Sequence, residues 1–349
     1  MYISIPELLR IKPGVLSNLG KYLKRDDWNE ITLYFGEGIE KLYGKSVIDT
    51  LCHHKISVLH QQEILSNAVE NVFPDLALIP NKTEVLVAIG GGKVIDYCKY
   101  LGFLKQIPVI AVPTALSNDG MASPTASLTQ NGKRKSFKAR PPEGVLIDTD
   151  IILKSPARYT YSGIGDMISK ITAIRDWKLA FHKNNETVND FSVLVAQHSV
   201  ENVLGSPSYE ITDPEFINRL AGSLVMSGVA MEICGSSRPA SGAEHLISHA
   251  YDEVAKSLSL HGIQVGVAAY ATSWLQENYR RETLANFLLI SGFASFVEKN
   301  PLSKSDFLRA IELAPKLRNN YYTILSEQSS LQKVQTFIEE DSLLKRWLR

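Results

Sequence analysis

The sequence predicts an α/β domain built on a parallel sheet, followed by a domain made almost entirely of helices. Up to residue 155, short apolar segments alternate with segments of helical spacing, an order typical of parallel strands joined by helices that cover both faces of the sheet. From Ala157 onward the apolar spacing is helical almost throughout. A chain of 349 residues is also long for a single core. We therefore predict domains 1–155 and 156–349, with the boundary at Ser155-Pro156.

The first domain should contain a series of short, buried strands. The strands predicted from apolar runs are a short one within residues 3–15 and the segments 31–35, 56–60, 85–89 and 107–113. Gly36 and Gly38 turn the second of these strands into a helix, and residues 63–72 are predicted as another helix. The Asn-Gly pair at 131–132 predicts a hairpin turn, which the basic residues 133–135 follow.

Composition and charge exclude several classes of function. The chain has 37 basic and 37 acidic residues, which gives no reason to expect nucleic acid or an anionic membrane as the main partner. The N-terminal segment lacks the features of a signal peptide, and no apolar run approaches the ~20 residues of a membrane-spanning helix. The cysteines, without paired spacing, are expected to be free thiols in a reducing compartment: Cys52, Cys98 and Cys234. We expect a soluble, cytoplasmic protein.

A glycine-rich turn follows the strand at residues 85–89, in the segment VLVAIGGGKVID. Gly90, Gly91 and Gly92 carry no Cβ atoms, and Lys93 is expected to begin a helix. Bare N–H groups at the N-terminus of a helix form an anion site, which would suit a diphosphate. The segment does not match the G-x-G-x-x-G fingerprint of dinucleotide-binding proteins, so a plain tight turn is an equally good interpretation.

Polar side chains cluster immediately after the predicted strand at residues 107–113. They are Thr114, Ser117, Asp119 and Ser123. In an open parallel sheet, ligands bind outside the carboxyl ends of the strands, so these side chains are placed to meet a cofactor or a substrate. The alternative is an ordinary polar turn, because Asn-Asp-Gly is favourable turn chemistry.

Three histidines in the second domain indicate a metal site. His245 and His249 are four residues apart in a segment with helical spacing, so both rings project from one face, and His261 follows after a break. Asp166, which we expect on a short turn that opens a helix, could add an oxygen donor. Two imidazoles and one carboxylate leave coordination positions open, as a catalytic site requires. A lone histidine is more often structural, and spacing alone favours His245 and His249 as the ligand pair.

Two neighbours of these histidines also suggest ligand contacts. Arg238 lies in a segment bounded by glycine and proline, from which its guanidinium could meet a phosphate. Gly262 follows His261, at a place where a bulky side chain would crowd an approaching ligand. Both interpretations are expectations that the packing of the helices can test.

Five sequence blocks resemble the sn-glycerol-1-phosphate dehydrogenase family. They are IGGGKVID, PTALSNDGMASPTASL, GIGDMISKITAIRDWKLA, MSGVAM with GSSRPASGAEHLISHA, and LHGIQVGV, in the family's order from Val85 to Ala269. That family lies within the superfamily of iron-type alcohol dehydrogenases, glycerol dehydrogenases and dehydroquinate synthases. The resemblance implies a dehydroquinate synthase-like fold, in which a Rossmann-like parallel sheet precedes an all-α domain.

The resemblance also implies roles for individual residues. It assigns the metal to Asp166, His245 and His261, which moves His249 from the metal to the substrate pocket. Asp119 and Asp166 would join His249 in contacting the substrate, and these three would be the catalytic residues. The cofactor-binding residues would be Gly90, Gly91, Gly92, Lys93 and Val94 at the diphosphate, Thr114 and Ser117 elsewhere on the cofactor, and Ser123 on the nicotinamide side.

The implied activity is the reversible reduction of dihydroxyacetone phosphate to sn-glycerol 1-phosphate. The cofactor would be NAD(H) or NADP(H), and the resemblance does not choose between them. One divalent metal ion would be needed, with zinc expected first and nickel or iron as alternatives. The partner would be a small phosphorylated triose or polyol, and a homo-oligomer is expected. Alternatives are a dehydrogenase of another polyol, sugar or cyclitol, a cyclase like dehydroquinate synthase, and a non-catalytic binding protein.

Overall fold

A computed structural model describes residues 3–255 and 259–349. The chain divides into two compact units. The first comprises the chain up to Leu116 together with Gly120–Ser155, and the second comprises Ser117–Asp119 and Pro156–Arg349. The first unit contains a parallel sheet with helices and the second is helical, so the predicted fold class is confirmed.

The first unit is organised around a six-stranded sheet. Its strands and those of a separate hairpin are β1 (Leu8–Lys12), β2 (Glu30–Gly36), β3 (Ser57–Ile64), β4 (Val85–Gly90), β5 (Val109–Pro113), β6 (Thr125–Gln130), β7 (Lys133–Lys138) and β8 (Gly144–Asp148). The order in the sheet is β1-β8-β5-β4-β2-β3, and every neighbouring pair is parallel. β6 and β7 form the antiparallel hairpin that the Asn-Gly pair predicts. All residues of β4 and β5 are buried, as expected for central strands of a parallel sheet.

Helices surround the sheet and make up the second unit. Those of the first unit are α1 (Leu19–Arg25), α2 (Ile39–His53), α3 (Val72–Leu78), α4 (Gly92–Lys105) and α5 (Thr149–Lys154). Those of the second are α6 (Ala157–Ile168), α7 (Lys170–Asn184), α8 (Asp190–Leu204), α9 (Pro214–Cys234), α10 (Ala243–Val254), α11 (His261–Leu275), α12 (Arg281–Ile290), α13 (Phe293–Lys299), α14 (Lys304–Leu313), α15 (Ser330–Glu340) and α16 (Leu344–Trp347).

The core of the first unit lies between one face of the sheet and the helices α1 and α2. Leu33 of β2 and Val87 of β4 are fully buried there and pack with Leu51 of α2. Alternate residues of a strand point to the same face, so each strand contributes several side chains to this layer. Burial of one such side chain stabilises the fold by roughly 1.5–3 kcal/mol.

The helix predicted for residues 63–72 is wrong. Glu63 and Ile64 are the last residues of β3, where they pair with Phe35 and Gly36 of β2. A short 3-10 helix covers Val69–Asn71, and the following α-helix, α3, begins only at Val72. The apolar residues of this segment have a spacing compatible with a helix, but pairing with a central strand satisfies the backbone hydrogen bonds of residues 63 and 64 instead.

The predicted turn around Asp166 is also wrong, because Asp166 lies within the last turn of α6. Two glycines, Gly165 and Gly262, instead allow α6 and α11 to pack closely. A Cβ on Gly165 would lie 2.0 Å from the carbonyl oxygen of Gly262, and one on Gly262 would lie 1.8 Å from the carbonyl oxygen of Ser162. Gly262 therefore makes room for α6 and not for a ligand. This contact between α6 and α11 places Asp166 beside His261.

No helix in the described residues is long and apolar enough to cross a membrane. The three cysteines are free, as their spacing predicts. Cys52 is exposed, Cys98 is buried and Cys234 is partly buried. Burial raises the pKa of the Cys98 thiol well above its usual value, so this side chain behaves as a small apolar residue.

Candidate metal centre and active site

Three side chains of the second unit converge on one point. One ligand atom each from Asp166, His245 and His261 lies within 4.8 Å of the others. These residues come from the end of α6, the first turn of α10 and the start of α11. His249, one turn further along α10, is not part of this group. Its ring stacks on that of His261, with the ring centroids 5.7 Å apart. The geometry groups the residues that the resemblance implies, and not the pair that spacing favours.

Asp166 offers one oxygen to this point. Its Oδ2 accepts hydrogen bonds from the backbone N–H of Asp119, at 3.0 Å, and from Nζ of Lys170, at 3.3 Å. Its Oδ1 is buried and has no hydrogen-bond donor of acceptable geometry in the described residues, although Nε2 of His245 is 3.3 Å away. Burial would raise the pKa of Asp166, but Lys170 and His245 outweigh burial and hold the pKa well below its usual value. A buried, ionised oxygen without a donor is costly, and a bound cation would satisfy it.

The orientation of the His245 ring is set by Glu244. Nδ1 of His245 lies 3.0 Å from Oε1 of Glu244, which is fully buried. A carboxylate only accepts hydrogen bonds, so Nδ1 carries a proton and Nε2 faces Asp166. Burial lowers the pKa of His245, but the neighbouring carboxylates of Asp166 and Glu244 outweigh burial and raise the pKa. Metal binding at Nε2 would therefore release a proton.

The proton position on His261 follows from a chain of polar side chains. Nε2 of Gln264 donates to Oδ1 of Asp252, at 2.9 Å, and to the carbonyl oxygen of Ser259, at 3.1 Å. Oε1 of Gln264 therefore faces Ser248, whose hydroxyl donates to it at 2.6 Å. Since that hydroxyl has only one proton, its oxygen accepts from Nδ1 of His261, at 2.9 Å. Nε2 of His261 is thereby left as an electron-pair donor, the form that binds a metal.

Asp119, predicted to contact the substrate, lies beside this group. Oδ2 of Asp119 accepts hydrogen bonds from Oγ of Ser227, at 2.7 Å, and from Nζ of Lys170, at 2.9 Å. Only 8% of the residue is exposed. Its backbone N–H donates to Asp166, so movement of one carboxylate would disturb the other.

The predicted diphosphate-binding residues lie at the carboxyl end of β4. Gly90 pairs with Pro113 of β5, and the backbone N–H of Thr114 donates to the carbonyl oxygen of Gly90 at 3.0 Å. Gly90 has a φ of +153°, and a Cβ there would lie 2.7 Å from Cγ1 of Val94. Gly91 differs, because no atom lies within 4 Å of the place where its Cβ would be. The structure thus leaves open space at Gly91, at the N-terminus of α4, where a phosphate could approach the backbone.

Several of the other predicted cofactor residues have side chains that already bond to other parts of the protein. Gly92 is the first residue of α4, and Nζ of Lys93 donates to the carbonyl oxygen of Leu65 at 3.2 Å. Ser117 groups with the second unit, where its carbonyl oxygen accepts from Oγ of Ser162 at 2.9 Å. Ser123 is buried, and its hydroxyl lies within hydrogen-bond distance of carbonyl oxygens of its own loop. For Lys93 and Ser123, the backbone is therefore a better candidate for cofactor contact than the side chain.

Comparison with known proteins identifies the family. A family model described as iron-containing alcohol dehydrogenase matches residues 10–156. A glycerol-1-phosphate dehydrogenase [NAD(P)+] from Thermococcus sibiricus is 34% identical over 319 residues, which cover 89% of this chain and 88% of that protein. The chain belongs to the glycerol-1-phosphate dehydrogenase family. The family member from Pyrococcus furiosus is 34% identical over 332 residues, covering 93% of each chain.

Solved structures outside this family have the same fold. Glycerol dehydrogenase from Schizosaccharomyces pombe matches with a TM-score of 0.77 and 18% identity, covering 99% of this chain and 92% of the other. A sulfoacetaldehyde reductase from Bifidobacterium kashiwanohense, solved with NAD+, matches with a TM-score of 0.74 and 14% identity, over 97% and 99% of the two chains. At such identities these likenesses concern the fold alone, and the family assignment depends on the closer sequence relatives.

In this member of the family, Arg238 does not serve as a free phosphate-binding group. It is only 2% exposed, and its guanidinium forms a two-point ion pair with the carboxylate of Glu186. A further N–H donates to the carbonyl oxygen of Tyr322 at 2.8 Å, and the guanidinium carbon lies 3.6 Å from the ring centroid of Tyr321. The expectation that Arg238 meets a phosphate is wrong, because a half-buried counter-ion and an aromatic ring already surround its charge.

Sequence reasoning missed the residues that support Asp166, His245 and His261, which we call the metal group. Glu244 and Ser248 each bond a histidine, and Lys170 bonds two carboxylates. Glu244 is adjacent to His245, which is a detectable signal, because metal-binding histidines commonly bond a carboxylate. Lys170 and Ser248 carry no comparable signal, since a polar residue on a helix is usually solvent-exposed.

Proposed function

We propose that this protein is a metal-dependent glycerol-1-phosphate dehydrogenase that interconverts dihydroxyacetone phosphate and sn-glycerol 1-phosphate with NAD(H) or NADP(H). The observation that carries the proposal is the convergence of Asp166, His245 and His261, with one oxygen of Asp166 left without a donor. The relatives that match most of the chain bear the name glycerol-1-phosphate dehydrogenase [NAD(P)+].

The three converging residues suit a catalytic divalent cation. Two imidazole nitrogens and one carboxylate oxygen leave coordination positions for a substrate. A cation held there would act as a Lewis acid on the ketone oxygen of the substrate. Zinc is the expected ion, and nickel and iron also accept this donor set.

The chain's own residues would orient the substrate and move the proton. Reduction of the ketone consumes one hydride, which the reduced nicotinamide supplies, and one proton, which must reach the ketone oxygen. His249 is the candidate proton donor, because its imidazole lies against His261 at the edge of the metal group and imidazole transfers protons readily near neutral pH. Asp119 and Asp166 would contact the substrate and hold it in place.

The glycine turn gives a prediction about cofactor binding. Gly91→Val should weaken NAD(H) or NADP(H) binding several-fold or more, because the added side chain occupies space beside the N-terminus of α4 that is open in the protein. Folding should be unaffected, since Gly91 has a φ of −79° and no atom near its Cβ position. The measurement is a fluorescence titration of the cofactor together with a melting curve.

Gly90→Val is the matched control for Gly91→Val. It should lower the melting temperature, because its Cβ would collide with Val94 and its φ of +153° disfavours any residue with a side chain. Cofactor affinity in Gly91→Val equal to that of the unmodified protein would remove the diphosphate role from this turn.

The substrate can be tested directly with a panel of ketones. Oxidation of NADH and NADPH is followed with dihydroxyacetone phosphate, dihydroxyacetone, and ketones of polyols and cyclitols. The proposal expects the highest kcat/KM for dihydroxyacetone phosphate, with net consumption of the reduced cofactor. A cyclase would show no net change in the cofactor, and a higher kcat/KM for another ketone would assign a different dehydrogenase activity.

Two further properties are proposed with the function. We expect the protein to form a homo-oligomer and to act in the cytoplasm. Light scattering coupled to gel filtration measures the first, and cell fractionation with an antibody measures the second. A monomeric mass at working concentration, or recovery outside the cytoplasmic fraction, would contradict the respective expectation.

A further inference from the structure

Lys170 carries a fully buried positive charge at the edge of the metal group. Its side chain is 0% exposed. Nζ lies 2.9 Å from Oδ2 of Asp119, 3.3 Å from Oδ2 of Asp166 and 2.7 Å from the backbone carbonyl oxygen of Asp166. An ammonium group has three protons, so these three acceptors use its full hydrogen-bonding capacity. Lys170 therefore contacts neither solvent nor, by extension, a substrate, and it acts only through the two carboxylates.

The two oxygens of Asp166 differ in their hydrogen-bond partners because of Lys170. Oδ2 is held by Lys170 and by the backbone N–H of Asp119, whereas Oδ1 has no donor in the part of the chain that the structure describes. Only Oδ1 is thus available to a cation. If Lys170 were neutral, Oδ2 would lose its ionic partner and could turn towards the cation as a second ligand atom.

Lys170 also compensates the charge of Asp119. Oδ2 of Asp119 is held by the ammonium and by the hydroxyl of Ser227. Without the ammonium, the site with its bound cation would be one unit more negative towards any ligand that enters, and like charges in a site of low dielectric constant repel strongly. A neutral polyol would tolerate this charge, but a ligand that carries a phosphate would not.

We propose that Lys170 is a positioning residue that determines substrate specificity, because it neutralises Asp119 so that the site accepts a phosphorylated ketone and limits Asp166 to one metal-binding oxygen. The proposal rests on the proposed function for the identity of the substrate. Its consequence for the metal is independent of any substrate. Removal of the ammonium should therefore strengthen metal binding and weaken binding of the phosphorylated substrate, two effects of opposite direction.

The test variant is Lys170→Met, which keeps the length of the side chain and removes its charge. Metal affinity of the metal-free protein, measured by competition with a chromophoric zinc chelator, should increase about 10-fold, the effect expected for loss of one charge close to the ion. The KM for dihydroxyacetone phosphate should rise by about 10-fold or more for the same reason. The KM for dihydroxyacetone, which lacks the phosphate, should change much less. Damage to the fold would instead weaken metal binding and both substrates together.

Two further variants keep the test decisive if Lys170→Met folds poorly. The double variant Asp119→Asn/Lys170→Met removes one negative charge along with the positive one, so its metal affinity should fall back towards that of the unmodified protein and its melting temperature should exceed that of Lys170→Met. Lys99→Met is the matched control, because Lys99 is also 0% exposed and its partners in the first unit, Asp96, Oγ of Ser123 and the carbonyl oxygens of Gly120 and Thr125, include none of the three converging residues. It should leave metal affinity unchanged.

The outcomes separate this proposal from the proposed function. Unchanged zinc binding in Lys170→Met, or weaker zinc binding in both Lys170→Met and the double variant, would overturn the role of Lys170. An unchanged ratio of the KM values for dihydroxyacetone phosphate and dihydroxyacetone would also overturn it. If the unmodified protein did not reduce dihydroxyacetone phosphate, the proposed function would fail, while the zinc measurements would still decide how Lys170 acts on Asp166.

Discussion

Replacing His261 by Ala should remove the bound divalent metal and abolish turnover, while the sheet of the first unit should stay folded. The hydrogen-bond chain through Ser248 and Gln264 leaves Nε2 of His261 as an electron-pair donor, and a ring nitrogen of His261 lies in the same group as Asp166 and His245. Loss of one of three protein ligands leaves too few donors to retain a catalytic ion. Elemental analysis of the purified variant measures the metal, and circular dichroism measures the fold.

His198→Ala is the control for the loss of a histidine from the second unit. His198 is exposed on α8 and belongs to no metal-binding group in the described ranges. It should retain metal and turnover at the level of the unmodified protein. Stoichiometric metal in His261→Ala would show that this residue is not a ligand and would return the choice to the pair favoured by spacing.

His249→Ala should keep its metal and its cofactor affinity but lose turnover. The two histidines of α10 project from one face, yet only His245 has a ring nitrogen in the converging group, and His249 stacks on His261 instead. Removal of a proton donor or of a substrate hydrogen bond typically lowers the rate by ~10²–10⁴. The measurement combines elemental analysis, a cofactor titration and kcat/KM for dihydroxyacetone phosphate.

Metal content and turnover of His249→Ala test different roles of this residue. Loss of the metal would make His249 a ligand and would contradict the division of roles between the two histidines. Turnover close to that of the unmodified protein would make His249 a bystander. His249→Asn, which can still form a hydrogen bond but transfers no proton near neutral pH, separates proton transfer from substrate positioning. Recovery of KM without recovery of kcat would indicate proton transfer.

Most of the fold could be predicted because its signals are local. The buried strands are uninterrupted apolar runs, and the Asn-Gly pair marks the hairpin between β6 and β7. The end of β3 could not be predicted in this way, because Glu63 and Ile64 join the strand through pairing with β2. Strand pairing is a contact between distant parts of the sequence, and local spacing does not contain it.

The roles of the glycines near the site also depend on distant contacts. Gly262 suggested space for a ligand, but it faces Gly165 where α6 packs against α11. Arg238 suggested a phosphate site, but Glu186 lies beside its guanidinium. The glycine indicated a close approach, and the arginine indicated a charge that needs a partner. The partner could be identified only from the three-dimensional arrangement.

The existence of the metal group could be predicted from histidine spacing, but its members could not. Histidine spacing predicted a metal site on α10 but favoured a pair that the geometry does not group, since one helix face carries both His245 and His249. The resemblance to a known family supplied the grouping that the geometry displays. Neither spacing nor resemblance indicated Lys170, whose burial between two carboxylates is a property of the packed helices.

The central claim is tested most directly by the configuration of the product. The purified protein, loaded with zinc, is incubated with dihydroxyacetone phosphate and NADH or NADPH, and the glycerol phosphate formed is resolved by chiral chromatography beside a sample stripped of metal. The account predicts sn-glycerol 1-phosphate in amounts equal to the cofactor oxidised, and no product without metal. Formation of sn-glycerol 3-phosphate, or equal turnover in the stripped sample, would contradict it.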